Sequence, residues 1–187
     1  MGELIGYADQ ITSYGFSSTD LGNKAAVQLT ISDELTKISN RRGFLTLTQY
    51  SLDVCKRELF PASLLFFDLD RFKEINDTHG HAEGDRALKI FADEMRESFR
   101  SSDIFARLGG DEFVAFLTNT SSIQIEQLIM RFEASLRSRC LSECLPYSIK
   151  FSFGLVDFDP LRHQSIEQML NEADNAMYQN KKNKRNT

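Results

Sequence analysis

From Asp33 onward, apolar and polar positions fall into blocks with two distinct periods. Arg41 to Lys56 carries Phe44, Leu45, Leu47, Leu52 and Val54 at spacings that suit an amphipathic helix. Ala62 to Asp68 is a short apolar run closed by an acid, the pattern of a buried central strand. Ala82 to Phe99 sets Leu88, Phe91, Met95 and Phe99 on one helical stripe. Asp103–Leu108 and Glu112–Leu117 read as strands around Gly109-Gly110, and two glycines there predict a tight hairpin, because primed turns need positive φ. Ser122 to Arg139 returns to helix, with Ile125, Leu128, Ile129, Phe132 and Leu136 inward. Ser148 to Val156 alternates as a half-buried strand does. Ser165 to Lys182 closes as a helix with Leu170, Ala173 and Met177 inward, running into the basic stretch Lys181 to Arg185.

With a turn from Asp70 into a further helix, the order is α-β-α-α-β-β-α-β-α. That order predicts an α/β fold of the α+β sandwich kind: a central mixed, largely antiparallel sheet of about five strands flanked by helices. Residues 1–30 are rich in Ser, Thr and Gly (Ser13, Gly15, Ser17, Ser18, Thr19, Gly22) and weakly periodic. They read as a leader or linker, with room for one short helix before Asp33, ahead of a domain over 31–187.

Composition narrows the function classes. The 15 Phe and 0 Trp point to a packed interior and to no particular chemistry. A net charge of −5 argues against broad nucleic-acid binding, which needs a basic face. No apolar run is long enough to span a bilayer, so no membrane contact is expected from this segment, although the native protein could be anchored upstream. Cys55, Cys140 and Cys144 are odd in number and lack CxxC spacing, which favours reduced thiols in the cytoplasm over a zinc site or a disulfide framework.

Two acidic groups stand at strand ends: Asp68 with Asp70, and Asp111 with Glu112. Taken singly, such acids are solvated turn residues. If their strands are neighbours, Asp68 and Asp111 face one another, and hard carboxylate oxygens of that kind suit Mg²⁺ beside a triphosphate. The turn after Asp70 offers backbone N–H groups and the mobile charge of Lys73 to an anion. Asn76 and Asp85 can read a guanine edge, the carboxylate accepting from the ring N–H and the exocyclic amine, although helix capping accounts for either residue alone. His81 alone is more simply a capping or packing residue. Lys181 and Arg185 share a helical face, where a solvated basic tail is the plain alternative.

These residues resemble a known family. Gly109-Gly110-Asp111-Glu112-Phe113 is the signature of GGDEF-domain diguanylate cyclases, and the flanks agree at the proper spacing. Asp33-x-Leu35-Thr36 with Asn40-Arg41-Arg42, Phe67 to Lys73, Ile75-Asn76-Asp77, Gly80-His81, Gly84-Asp85, Ser152-Phe153-Gly154 and Ala173-Asp174-x-Ala176-Met177-Tyr178 resemble the family's other blocks, from about Asp33 to Asn186. The resemblance implies a nucleotide-cyclase or palm-like sheet and Mg²⁺-dependent joining of two GTP into cyclic di-GMP by a homodimer, with Mn²⁺ as a substitute ion. It implies metal ligation by Asp68, the Leu69 carbonyl and Asp111, and phosphate contacts from Lys73, Lys181 and Arg185. Asn76 and Asp85 would read guanine. His81, Phe72, Gly109 and Gly110 would complete the substrate site, and Asp111 or Glu112 would be the base. Arg100 and Asp103, five residues before the signature, with Arg131, resemble an inhibitory site for the product.

Two departures stand out. Lys37-Ile38-Ser39 replaces the usual Gly, apolar residue and Pro, and Lys184 replaces a usual Gly. Two rival readings are a non-catalytic cyclic di-GMP or GTP binding module, and a general nucleotide cyclase or polymerase-palm relative. The first sits poorly with an intact set of acids, and the second gives no reason for the Asn76 and Asp85 pair.

Overall fold

The computed structural model describes residues 31–185, with side chains to residue 184; the leader expected over 1–30 lies outside them. The elements are β1 (Ser39–Asn40), α1 (Arg41–Glu58), β2 (Ala62–Leu69), α2 (Phe72–His79), α3 (His81–Ser98), β3 (Ile104–Gly109), β4 (Glu112–Thr118), α4 (Ser122–Ser142), β5 (Phe151–Asp157) and α5 (Ile166–Arg185). The sheet runs β1-β3-β4-β2-β5, antiparallel except for the short parallel pair β1 and β3. The expected α+β sandwich is present, with β2 an interior strand between β4 and β5.

β2 reads as a continuous apolar run because both of its faces are covered. Leu65, Phe67 and Leu69 face α3 and α4, joined by Phe105, Phe113, Ala115, Leu117 and Phe151. Ala62, Leu64 and Phe66 face α1 and α5, joined by Ile104, Ala106, Val114 and Phe116. The abundant phenylalanines concentrate on the first face. Phe67 has Phe91, Phe99, Phe132 and Phe151 edge-on around it at centroid distances of 5.5 to 6.4 Å.

The same alternation decides where the acids point. Asp68 follows Leu64 and Phe66 on the α5 side of the sheet, and Glu112 precedes Val114 and Phe116 on that side. Gly154 of β5 lets α5 approach closely, since a Cβ there would lie 2.0 Å from the Ala173 carbonyl oxygen. That approach brings the C-terminal half of α5 over the strand ends. Among the described residues no helix is long and apolar enough to cross a membrane.

Boundaries shift where local chemistry intervenes. Gly80, at φ 87°, breaks the segment after Asp70 into α2 and α3, so the second helix starts at His81 and not at Ala82. β5 begins at Phe151, three residues after the expected start, and there the Lys150 carbonyl accepts from the Asp70 N–H at 2.8 Å.

Candidate active site

Antiparallel pairing sets Asp68 of β2 directly opposite Glu112 of β4, and the Leu69 N–H donates to the Asp111 carbonyl at 3.2 Å. The hairpin that presents Asp111 turns on Gly109 (φ 150°) and Gly110 (φ 52°), values that favour glycine. Arg107 clamps the turn. Its guanidinium donates to the Gly110 carbonyl at 2.9 and 2.8 Å, and to the Asp33 carboxylate at 3.1 and 3.3 Å.

This end of the sheet concentrates negative charge. Burial raises the Asp68 carboxyl above the ordinary range, Asp111 and Asp70 add to the rise, and the Lys181 ammonium opposes it. Partial desolvation, then Asp174, Asp111 and Asp68, push Glu112 up as well, against the opposing charge of Arg41. Lys181 donates to Asp68 Oδ1, so α5 delivers a cation to the acid.

Asp70 accepts from Ser152 Oγ at 2.7 Å and lies 3.8 Å from Lys184 Nζ, which also donates to the Phe151 carbonyl at 2.8 Å. Arg71 adopts a left-handed φ of 58° to start α2 at Phe72. The bend leaves Lys73 exposed and without an ion pair among the described residues, while Phe72 is half-buried against the core. Asn76 is half-buried against the first turn of α3: a Cβ on Gly84 would lie 2.0 Å from its Oδ1. His81 and Asp85 are exposed on that turn. The Arg185 side chain lies outside the described residues.

Asp68, Asp111 and the backbone of Leu69 make a donor set that fits a hard divalent cation, and the Lys181 ammonium on Asp68 shows that positive charge is accommodated there. Among the described residues no three His, Cys, Asp or Glu side chains converge. A cation here would draw its remaining ligands from water and phosphate, as Mg²⁺ does.

On the opposite face of the sheet, Arg100, Asp103 and Arg131 line one cavity of about 170 Å³ with Leu117, Thr120, Gln124, Gln127 and Leu128. Asp103 is 5% exposed. Its Oδ2 accepts from the Arg100 N–H at 2.8 Å, while Oδ1 is buried without a partner among the described residues. Burial raises this carboxyl too. Arg131 reaches across to the Ser98 carbonyl at 2.8 Å.

A family profile described as "Diguanylate cyclase, GGDEF domain" matches residues 30–187. The chain belongs to the GGDEF family. Similar curated GGDEF relatives include Diguanylate cyclase DosC of Escherichia coli, 36% identical over 160 residues, covering 82% of this chain and 34% of that protein. Probable diguanylate cyclase DgcC of the same organism is 32% identical over 154 residues, covering 82% and 41%. Diguanylate cyclase A of Treponema denticola is 28% identical over 199 residues, covering 100% and 53%. The chain therefore spans about half or less of the length of these relatives. Among solved structures, the GGDEF domain of YfiN (TpbB) from Pseudomonas aeruginosa matches with a TM-score of 0.72 at 34% identity, covering 81% of this chain and 89% of that one. The GGDEF domain of DgcB from Caulobacter crescentus, in complex with cyclic di-GMP, matches in fold with a TM-score of 0.74 at 24% identity, covering 82% and 91%.

Several residues of this GGDEF site carry no signal in the sequence. Arg107 acts through Asp33, distant in the chain, and Gln124 and Gln127 enter the second cavity only because α4 crosses it; Ser152 and Lys184 stand out in the sequence, but their contacts with Asp70 and the Phe151 carbonyl do not. Position 84 is the exception. A glycine inside a helical stretch marks a close approach.

Proposed function

We propose that this domain condenses two GTP molecules into cyclic di-GMP, releasing two pyrophosphates, with Mg²⁺ as its metal. The observation that supports this most directly is the placement of Asp68 and the Asp111-Glu112 pair on adjacent strand ends, beside a turn that leads into Lys73. Mg²⁺ held by Asp68, the Leu69 carbonyl and Asp111 supplies charge neutralisation at the phosphates. Lys73, Lys181 and Arg185 contribute positive charge for the triphosphate, and Lys73 is free to follow charge as it develops. Asn76 and Asp85 bind the guanine edge, and the Asp85 carboxylate favours guanine by accepting from its ring N–H and amine. His81, Phe72, Gly109 and Gly110 border the nucleotide. Asp111 or Glu112 takes the 3′-hydroxyl proton.

One domain holds one GTP, so two chains present their nucleotides to each other. Arg100, Asp103 and Arg131 form the inhibitory site for the product: arginine pairs with phosphate and stacks on guanine, and the unpartnered Asp103 Oδ1 is an acceptor held ready for a base N–H. The test is incubation with GTP and Mg²⁺, with chromatographic detection of cyclic di-GMP. Turnover by the native chain, its loss in Asp111→Asn, and relief of product inhibition in Arg100→Ala support the reading. Binding of cyclic di-GMP without turnover rejects the enzyme in favour of a binding module, and turnover of ATP rejects the guanine assignment.

A further inference from the structure

Helix α4 is apolar on two sides. Ile125, Leu128, Ile129, Phe132, Leu136 and Cys140 are buried against the sheet and α3. On the outward side Ile123, Met130 and Leu141 are 68, 71 and 74% exposed, and Ala134 is exposed with them. At 3.6 residues per turn, positions 123, 130, 134 and 141 fall within about 20° of one line along the helix. A helix with a second apolar stripe has a second surface to bury.

The stripe is symmetric about Phe132. Ile123 and Leu141 lie nine residues to either side, and Met130 and Ala134 two residues to either side. A helix related to this one by a two-fold axis at Phe132 therefore sets Ile123 on the partner's Leu141 and Met130 on the partner's Ala134, a large side chain against a small one. Two of the three charges on one edge of the stripe obey the same symmetry, while the third, Glu133, is exposed further round that edge beside the axis and faces its own copy. Glu126 and Arg137 stand six residues before and five after Phe132, on one edge of the stripe, and neither makes an ion pair among the described residues. In the antiparallel arrangement each Glu126 meets the partner's Arg137. A parallel arrangement sets the two Glu126–Arg137 edges on opposite sides of the helix pair, so neither ion pair forms.

We propose that α4 pairs antiparallel with the α4 helix of a second copy of this chain, through the Ile123, Met130, Ala134 and Leu141 stripe and two Glu126–Arg137 ion pairs. The occupant is a second copy because the apolar stripe and the Glu126 and Arg137 positions are complementary to themselves, the requirement for an isologous contact. β4 leads away from the Asp68 and Asp111 end, so α4 starts at the far end and returns towards it. Antiparallel pairing thus places the two active ends at opposite ends of the helix pair and leaves both free. One helix pair of about 30 Å buries an area at the low end for protein interfaces, so the contact is a weak, concentration-dependent one.

Sedimentation equilibrium of the full chain across about 1–200 µM, without nucleotide, tests it. The expected result is a monomer–dimer equilibrium, weakened about ten-fold or more in Glu126→Arg and in Arg137→Glu, and restored when both changes are combined in one chain. Met130→Glu should also abolish it, with an unchanged circular dichroism spectrum. A native chain that stays monomeric throughout overturns the proposal, as does a dimer indifferent to the single reversals or a double variant that fails to re-associate. Residues 1–30 covering the stripe would give the monomeric outcome. Stripe pairing is independent of catalysis, since it is read without GTP.

Discussion

Lys37 occupies the left-handed region at φ 61°, at the position where the GGDEF pattern usually has glycine. A non-glycine residue there brings Cβ against the backbone at a cost of roughly 1–2 kcal/mol, part of which glycine gives back as unfolded-state freedom. Lys37→Gly should therefore raise stability by up to about 1 kcal/mol, seen as a rise of about 2–4 °C in Tm; an unchanged or lower Tm refutes the strain. Position 84 behaves in the opposite way. Gly84→Ala would ordinarily favour a helix by about 1 kcal/mol, but here the new methyl meets the Asn76 amide at 2.0 Å and pushes it aside. If Asn76 reads guanine, KM for GTP should rise about ten-fold while Tm holds or increases. An unchanged KM would remove Asn76 from the nucleotide site.

Elements meet in ways that single residues do not reveal, and the Asp33–Arg107 pair is an instance. It ties the segment before α1 to the β3–β4 hairpin, with both side chains largely shielded. Burial by itself would raise the Asp33 carboxyl, yet hydrogen bonds from Thr36 and the guanidinium of Arg107 hold it below the usual carboxylate range. A depressed folded value means that its stabilisation is complete above the unfolded value of about 3.9 and is lost as pH falls through the folded one. Asp33→Asn should cost about 1–2 kcal/mol in urea unfolding at pH 7, and the gap between variant and native chain should close as pH falls through the depressed folded value. A gap that persists in acid rejects the pairing. Element type was legible for every described element but β1: β2 from its unbroken apolar run, the hairpin from Gly109-Gly110, and α4 from its 3.6-residue pattern. β1 is two residues long and carries no period to detect. The expected facing of Asp68 and Asp111 rested on β2 and β4 being neighbours; they are, and the residue directly opposite Asp68 is Glu112, with Asp111 next to it in the turn. The contact of Lys181 with Asp68 was not, because it joins side chains 113 positions apart and depends on how closely Gly154 lets α5 approach.

At the scale of the molecule, the proposed function gives each domain one nucleotide site, while cyclic di-GMP contains two nucleotides. The proposed reaction therefore needs an encounter between active ends, and the net charge of −5 on each chain opposes that encounter where screening is weak. The rate per chain should fall in proportion to dilution once the chains are below their encounter constant, and should recover partly on adding salt. A stricter consequence follows where the rate per chain has levelled off. On the proposed reading Asp111→Asn leaves the Asn76 and Asp85 contacts with guanine in place, so the variant still presents GTP and competes for native partners. With native chain held constant, a ninefold excess of the variant leaves roughly one encounter in ten between two native chains, and product formed per native chain should drop about ten-fold. A one-chain enzyme would ignore the added variant. Arg137→Glu should show the same loss with Asp111→Asn in excess, because the α4 stripe and the active end are separate surfaces; if it did not, the two contacts would be one.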